Sequence, residues 1–478
     1  MDEPNSSLAV RMAANTIVQA VGSLLASVIG FVTFVAITRY LGPGAFGDFT
    51  AATVFLFIPV VLADVGLSAA VLRDISADPD RIEPAMRTSL PLRVIVSALA
   101  VLVAVGVGLA LPFNDQTTSA ILIASVGAFI QLMTLALLPV LQSQLKMHWA
   151  VGATLVGRIT TLALTLGVLA AGLGFRSIVV AHVAGLAVSF LLHLVAVARM
   201  VPLRPVIDVT HWRRLVAGAV VLGLAIGISQ IYFRVDAVLL ALLSSAEEVG
   251  FYGAAYKFIE LSAIITSAVG VSIFPPLARF VATGDPRARR LVQRGFDILL
   301  AAAAPLTILM LTYPDEIVVL AAGPDFQEGG KALQILAPYV LFSFANAVMW
   351  SVLISSNRDR SLLAMAVGVL VLNVGLNVLL IPEYGFEAAA AISVVSEAAI
   401  AIPIALAVRQ EGLLPNLRFL PVLLLGAAAM VATLLVTPGP WELAAVTGVA
   451  VYAAVVLVLP GTARDVLLDD LVGGLRRP

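Results

Sequence analysis

Fourteen stretches of this chain stay apolar for about 20 residues or more, the length an α-helix needs to cross the roughly 30 Å hydrocarbon core of a bilayer. They run over 12–40, 45–72, 88–112, 117–142, 150–173, 176–198, 214–243, 247–277, 291–313, 331–356, 361–381, 386–408, 416–437 and 441–460. Lipid offers no partner to an exposed backbone N–H or C=O, so stretches of this kind fold as helices that bond within themselves. The rest of the sequence fits that constraint. Of 478 residues, 61% are hydrophobic and only 12% charged, whereas about a quarter of an ordinary soluble domain is charged. The expected fold is an all-α polytopic membrane protein with about 14 transmembrane helices. The first stretch is too long for a cleaved signal, and Asp2 and Glu3 rather than cations stand before it. The connections are short, the longest lying near 73–87, 199–213, 278–290 and 314–330, so no independent soluble domain is expected.

Composition excludes several function classes. A formal net charge of -1 gives no basic field for nucleic acid. With no cysteine there is no disulfide framework, thiolate metal site or cysteine nucleophile. The four histidines (His148, His182, His193, His211) form no paired ligand spacing. His182 and His193 share a helix face and read as packed bundle residues, so no metal and no cofactor is expected. There is no P-loop, which excludes ATP hydrolysis by this chain.

Charge sets the orientation. If the connections are numbered alternately, one set, both ends included, carries 22 of the 28 cations, and the other carries only Arg39, Arg176 and Lys331. The remaining three, Arg158, Arg234 and Lys257, fall inside spans. Cytoplasmic connections are the basic ones. The chain is therefore expected in the cytoplasmic membrane with both termini cytoplasmic.

The sequence also repeats. Phe46-Gly-Asp-Phe-Thr-Ala-Ala52 returns as Val249-Gly-Phe-Tyr-Gly-Ala-Ala255, Val65-Gly-Leu-Ser68 as Val269-Gly-Val-Ser272, and Gly174-Phe-Arg176 as Gly385-Phe-Glu387. The copies are six spans apart, which preserves direction through the membrane, so the repeats are parallel about an axis along the membrane normal. Two pseudo-symmetric six-helix lobes are expected, 1–205 (spans 1–6) and 206–412 (spans 7–12), followed by 413–478 with two extra C-terminal helices and a cytoplasmic tail. Prolines within spans bend helices, and the small residues Gly22, Ala26 and Gly30 form a close-packing face on the first span. Two lobes built of bent helices read as a rocking transporter with a cleft bordered by spans 1, 2, 7 and 8.

Three stretches carry a family resemblance. Arg39-Tyr-Leu-Gly-Pro-Gly-Ala-Phe-Gly-Asp48 onward to Arg73 resembles the first helical hairpin of bacterial and archaeal polysaccharide flippases. So do Ser229-Gln-Ile-Tyr-Phe-Arg-Val-Asp236 through Arg279, and Leu372-Asn-Val-Gly-Leu-Asn377 through Glu397. The chain is similar to the lipid-linked oligosaccharide (O-antigen-type) flippases of the MOP superfamily, which also contains lipid II flippases and MATE multidrug exporters. The resemblance implies movement of an isoprenoid-pyrophosphate-linked oligosaccharide from the cytoplasmic to the outer leaflet, in polysaccharide and cell-envelope biosynthesis. The implied partners are that oligosaccharide, membrane lipids and other polysaccharide-assembly proteins.

Ionisable residues at membrane depth are costly and mark function by default. The candidates for holding an anionic head group are Arg39 at the outer mouth, Arg158, Arg234 and Lys257; Arg suits bidentate contact with phosphate. The candidates for charge balance or ion coupling are Asp64, Asp236, Glu260 and Glu397, and coupling to a proton or sodium gradient would use them. Asp297 lies near the cytoplasmic end of its span and reads as reaching water. Lys257 and Glu260, three apart, face the same way. Arg234 and Asp236, two apart on one continuous helix, would need different partners. Asp64 is the expected partner of Arg158. Either these charges neutralise one another as a structural network, or part of the set meets substrate. Two alternatives stand beside the flippase. A MATE-type cation-coupled drug exporter predicts acidic cavities, whereas four cations are candidate lining here. A membrane-embedded glycan polymerase or ligase needs a sizeable outer loop, and none is present, so no enzymatic activity is expected.

Overall fold

The computed structural model describes residues 3–458 apart from Val65 and Asn357; the side chains of 3–14, 77, 79, 218–222, 224–226, 229 and 359 also lie outside what is described. The expected cytoplasmic tail and its cations Arg464, Arg476 and Arg477 lie outside the described residues. The chain is 88% helical, with no strand among the described residues. The α-helices in order are α1 (Glu3–Asp64), α2 (Leu67–Ala77), α3 (Ile82–Ala110), α4 (Asp115–Ser143), α5 (Met147–Ala170), α6 (Phe175–Ala198), α7 (Val209–Tyr232) and α8 (Val235–Leu243). They continue with α9 (Ala246–Ala282), α10 (Arg287–Thr312), α11 (Pro314–Ala322), α12 (Gly329–Ser355), α13 (Asp359–Gln410), α14 (Leu420–Val436) and α15 (Trp441–Val458).

Ten of these helices are long and apolar enough to cross a membrane. Two of the ten cannot be single spans. At about 1.5 Å per residue, the 62 residues of α1 and the 52 of α13 would extend about 90 and 80 Å, well over twice a bilayer core. Each turns back at a glycine in the left-handed region, Gly42 (φ 70°) and Gly385 (φ 54°), where a side chain would be strained. Counting both halves of α1 and α13, α7 with α8 as one broken span, and α14 recovers the fourteen crossings read from the sequence.

Contacts divide the described chain into two compact units, Met1–Gly250 and Phe251–Pro478. This division follows packing; the repeat boundary expected at 205/206 concerns internal symmetry, a different property. In the first unit a cluster centred on Met86, Leu137, Val140, Leu141 and Val197 closes the end where α2, α3, α4 and α6 meet. The small-residue face expected on the first span packs on α5, and a side chain at Gly22 would overlap Val151. Within this unit α5 and α6 pack closely. A Cβ on Gly157 would stand 2.6 Å from the Cβ of Ser189 and 2.8 Å from the carbonyl of Gly185, so the two backbones touch there. In the second unit α14 and α15 form a hairpin against α10 through Leu423, Met430, Leu434 and Val456, and the Tyr452 hydroxyl donates to the Ala301 carbonyl at 2.9 Å.

The α5–α6 crossing yields a prediction. Gly157→Leu is expected to lower the thermal midpoint of the purified protein by an amount equivalent to about 1–3 kcal/mol, the usual cost of overpacking. Gly167→Ala, where nothing lies within 4 Å, should leave it unchanged or raised. Differential scanning measurements on the two variants in one detergent check the contrast.

Candidate functional site

In the first unit the charges read from the sequence occupy four places. Asp64 is the last residue of α1, and the chain breaks before α2 with Gly66 at φ 71°. Across that break the Asp64 carboxylate accepts from the Ser68 hydroxyl at 2.7 Å and forms an ion pair with Arg93 of α3. Arg93 also donates to the Ser68 Oγ at 2.8 Å. Two expectations are corrected here. The partner of Asp64 is Arg93 rather than Arg158, and Arg93, counted among the loop cations, is buried at 3% exposure. Burial forces the pairing, because an uncompensated guanidinium in this packed end would be strongly destabilising.

Arg158 sits in the middle of α5, about 17 Å from either end, and its side chain is exposed. Its guanidinium passes beside Gly30 of α1 and lies within electrostatic reach of His182 on α6. His182 packs edge-on against Phe49 at 5.8 Å. His193, as expected for a packed bundle residue, is buried and bonded through Nδ1 to the Ser189 carbonyl at 2.8 Å. Arg39 is exposed near the end of the first half of α1.

The seventh span is not continuous. It breaks at Phe233–Arg234, where Arg234 has φ −133° and ψ −12°. The break reorients both charges. Arg234 is half-buried, with its guanidinium 5.5 Å from the centre of the Phe57 ring, a cation–π contact worth about 0.5–2 kcal/mol. Asp236 enters the first turn of the new helix α8, is buried, and accepts from the Ala237 N–H at 2.7 Å. The exposed N–H groups of a helix start favour a carboxylate at that place.

One buried acid of this unit escaped the sequence reading. Asp48, at 4% exposure, accepts from the Asn114 amide at 2.8 Å and from the Thr117 hydroxyl at 2.6 Å. Asn114 also caps α4 by accepting from the Thr117 N–H at 2.7 Å. The signal was present: Asp48 stands inside the repeated Phe-Gly-Asp-Phe segment, opposite an Asn-Asp-Gln-Thr helix start.

In the second unit Lys257 and Glu260 pair at 2.7 Å as their spacing predicts. Both are half-buried. Glu397, at 4% exposure, accepts from the Asn346 amide at 2.9 Å, and the same amide reaches the Glu397 carbonyl at 3.0 Å. One turn away, Asn373 donates to Ser396 at 3.2 Å, Asn377 donates to the Asn373 side chain at 2.9 Å, and Tyr252 meets Ser393 at 3.2 Å. The Oδ1 atoms of Asn346 and Asn377 are buried without a hydrogen-bond donor. Glu397 thus sits in an oxygen-rich polar centre built by α12 and both halves of α13. The sequence reading singled out Glu397 but not the asparagines, although Asn373 and Asn377 recur four apart in an otherwise apolar span. Asp297 is half-buried on α10 and accepts from Gln293 at 2.9 Å. Among the described residues no group of three or more acidic or histidine side chains converges as a metal site.

Residues 12–281, more than half the chain, match the family model of polysaccharide biosynthesis proteins. The chain belongs to the polysaccharide biosynthesis protein family. Residues 222–379 also match the MatE model. A search of the curated proteins returned no significant match. Among solved structures, the fold is similar to the lipid II flippase MurJ in an inward closed conformation, with a TM-score of 0.80 over 94% of this chain and 100% of that one, at 13% identity. An inward-facing multidrug resistance MATE transporter of the MOP superfamily matches with a TM-score of 0.65 over 80% of this chain and 94% of that one, at 14% identity. A MOP superfamily transporter from Pyrococcus furiosus, described as having a binding pocket of reverse polarity, matches with a TM-score of 0.60 over 84% of this chain and 95% of that one, at 16% identity. This member of the polysaccharide biosynthesis protein family is therefore a multi-pass membrane protein whose fold is similar to those of the MurJ flippase and the MATE transporters.

Burial separates structural charges from exposed ones. Arg93→Ala strands the Asp64 carboxylate and is expected to cost about 3–5 kcal/mol, seen as a large loss of folded protein in size-exclusion profiles. Asp64→Asn combined with Arg93→Gln should recover much of that loss. Arg158→Ala, which removes an exposed side chain, should leave the profile unchanged.

Proposed function

We propose that this transporter flips an isoprenoid-pyrophosphate-linked oligosaccharide from the cytoplasmic to the outer leaflet by alternating access of two lobes, 1–205 and 206–412. The observation that carries the reading is the family match over residues 12–281. The chemistry agrees with it. A pyrophosphate moving through lipid needs its charge neutralised, and Arg158 and Arg234 offer guanidinium groups at membrane depth that suit bidentate phosphate contact. Lys257 is paired with Glu260 at rest, which avoids leaving a bare cation in an empty site; substrate phosphate would compete for it. Arg39 would meet the head group at the outer mouth. Asp236, Glu260, Glu397 and Asp64 would balance charge through the cycle.

A gradient of protons or sodium ions would drive the cycle through the polar centre around Glu397. A carboxylate beside amide oxygens that lack donors suits a proton or a hard monovalent cation. Other polysaccharide-assembly proteins are expected to supply and receive the substrate. The MatE match over 222–379 favours a second reading, a cation-coupled drug exporter. The cations at membrane depth weigh against it, because a site for cationic drugs would be acidic.

Flipping in proteoliposomes tests the proposal, read as access of an outside probe to lipid-linked oligosaccharide. The Arg234→Ala/Lys257→Ala variant should remain folded and lose at least tenfold in flipping rate, with Arg234→Lys partly active because it keeps the charge but not the fork. Normal flipping by the folded double variant refutes the assignment of the site. Uptake of a cationic dye without any oligosaccharide flipping would favour the exporter.

Orientation is tested separately. A reporter active only outside should be silent at residues 80, 208, 285 and 475 and active near 115, 246, 325 and 439. Activity at 285 would overturn both the orientation and the direction of transport.

A further inference from the structure

In the first unit, α5 and α6 touch at Gly157 and Gly185 and then part, leaving a groove of about 560 Å³ between them. Its walls are apolar, formed mainly by Val156, Leu192 and Val195, with Trp149 on one rim. Its far end carries two cations, Lys146 at the start of α5 and Arg199 at the end of α6. Among the described residues neither side chain makes an ion pair, and no acid lines the groove. Trp149 is 48% exposed, in the amphipathic position that indoles take at a membrane interface.

We propose that this groove is a binding site for an anionic glycerophospholipid. Its phosphate sits between Lys146 and Arg199, and one acyl chain lies along the apolar walls up to the glycine crossing. Three observations converge on that occupant. The charge is complementary and unspent. The groove runs from Lys146 to Val156, ten residues or about 15 Å, which is half of the roughly 30 Å core and so one leaflet deep. The backbone contact at Gly157 and Gly185 closes its inner end where an acyl chain of that leaflet would stop. A soluble anion would not need the apolar walls, and a zwitterionic lipid would leave the two cations without net compensation. The site does not depend on what the transporter moves, because binding is read without transport.

Trp149 reports occupancy directly. The full chain is reconstituted in phosphatidylcholine vesicles containing a minor fraction of either brominated phosphatidylglycerol or brominated phosphatidylcholine. The quenching that disappears in Trp149→Phe is taken as the share due to that indole. Brominated phosphatidylglycerol is expected to quench it preferentially, with an affinity gain on the order of fivefold per cation, and the preference should shrink at high salt. In Lys146→Gln/Arg199→Gln the preference should vanish while quenching by brominated phosphatidylcholine stays as it was, which reports an intact groove. Equal quenching by the two lipids in the parent chain overturns the proposal, as does an undiminished preference in the double variant. Loss of flipping with the lipid preference retained would count against the transport reading alone.

Discussion

A bilayer core supplies no water to a polar group, and the organisation of this protein follows from that lack. Backbone groups are satisfied inside helices, which is why the chain is 88% helical. Where a helix breaks or turns, side chains or neighbouring backbone take over: Asn114 at the start of α4, Asp236 at the start of α8. Charged groups obey the same demand. Asp64 with Arg93, Lys257 with Glu260 and Glu397 with Asn346 are each held by a partner on the same or an adjacent element. Arg158, exposed at the middle of α5, has its guanidinium beside Gly30 of α1 and within electrostatic reach of His182 on α6.

The two units manage their polar groups differently. In the first, ionisable side chains gather at two helix breaks, with Arg93 bonded across the α1–α2 break and Arg234 and Asp236 at the α7–α8 break. The second collects neutral amides and hydroxyls around one carboxylate, with Asn346, Asn373, Asn377, Ser393 and Ser396 all buried. An amide cluster costs less to bury than a second ion pair, and it can alter its hydrogen bonds without moving net charge.

The crossings were legible in the sequence because an apolar run of fixed length is a signal independent of tertiary context. The Lys257–Glu260 pair was legible because its geometry is local to one helix. What was not legible depends on packing across elements. Arg93 lies only a few residues inside its span, a place where an arginine ordinarily reaches water, and only the packing of α2, α3 and α4 seals it in. The break at Phe233–Arg234 carries neither proline nor glycine to announce it, so a continuous helix was the natural reading and the orientations of Arg234 and Asp236 changed with it. Asp48 and the asparagines near Glu397 are polar residues without unusual spacing to a partner on their own helix, apart from Asn373 and Asn377.

The bridge made by Arg93 has a mechanical consequence. Its guanidinium bonds both to Asp64, the final residue before the break, and to Ser68, in the first turn after it. A left-handed glycine at such a place would ordinarily act as a swivel. Splinted by α3, the joint becomes stiff in bending, and the short helix α2 is tied to the angle of α3. Tilting of α3 would therefore be passed to α2 as a lever passes a load, without the backbone at Gly66 having to unwind.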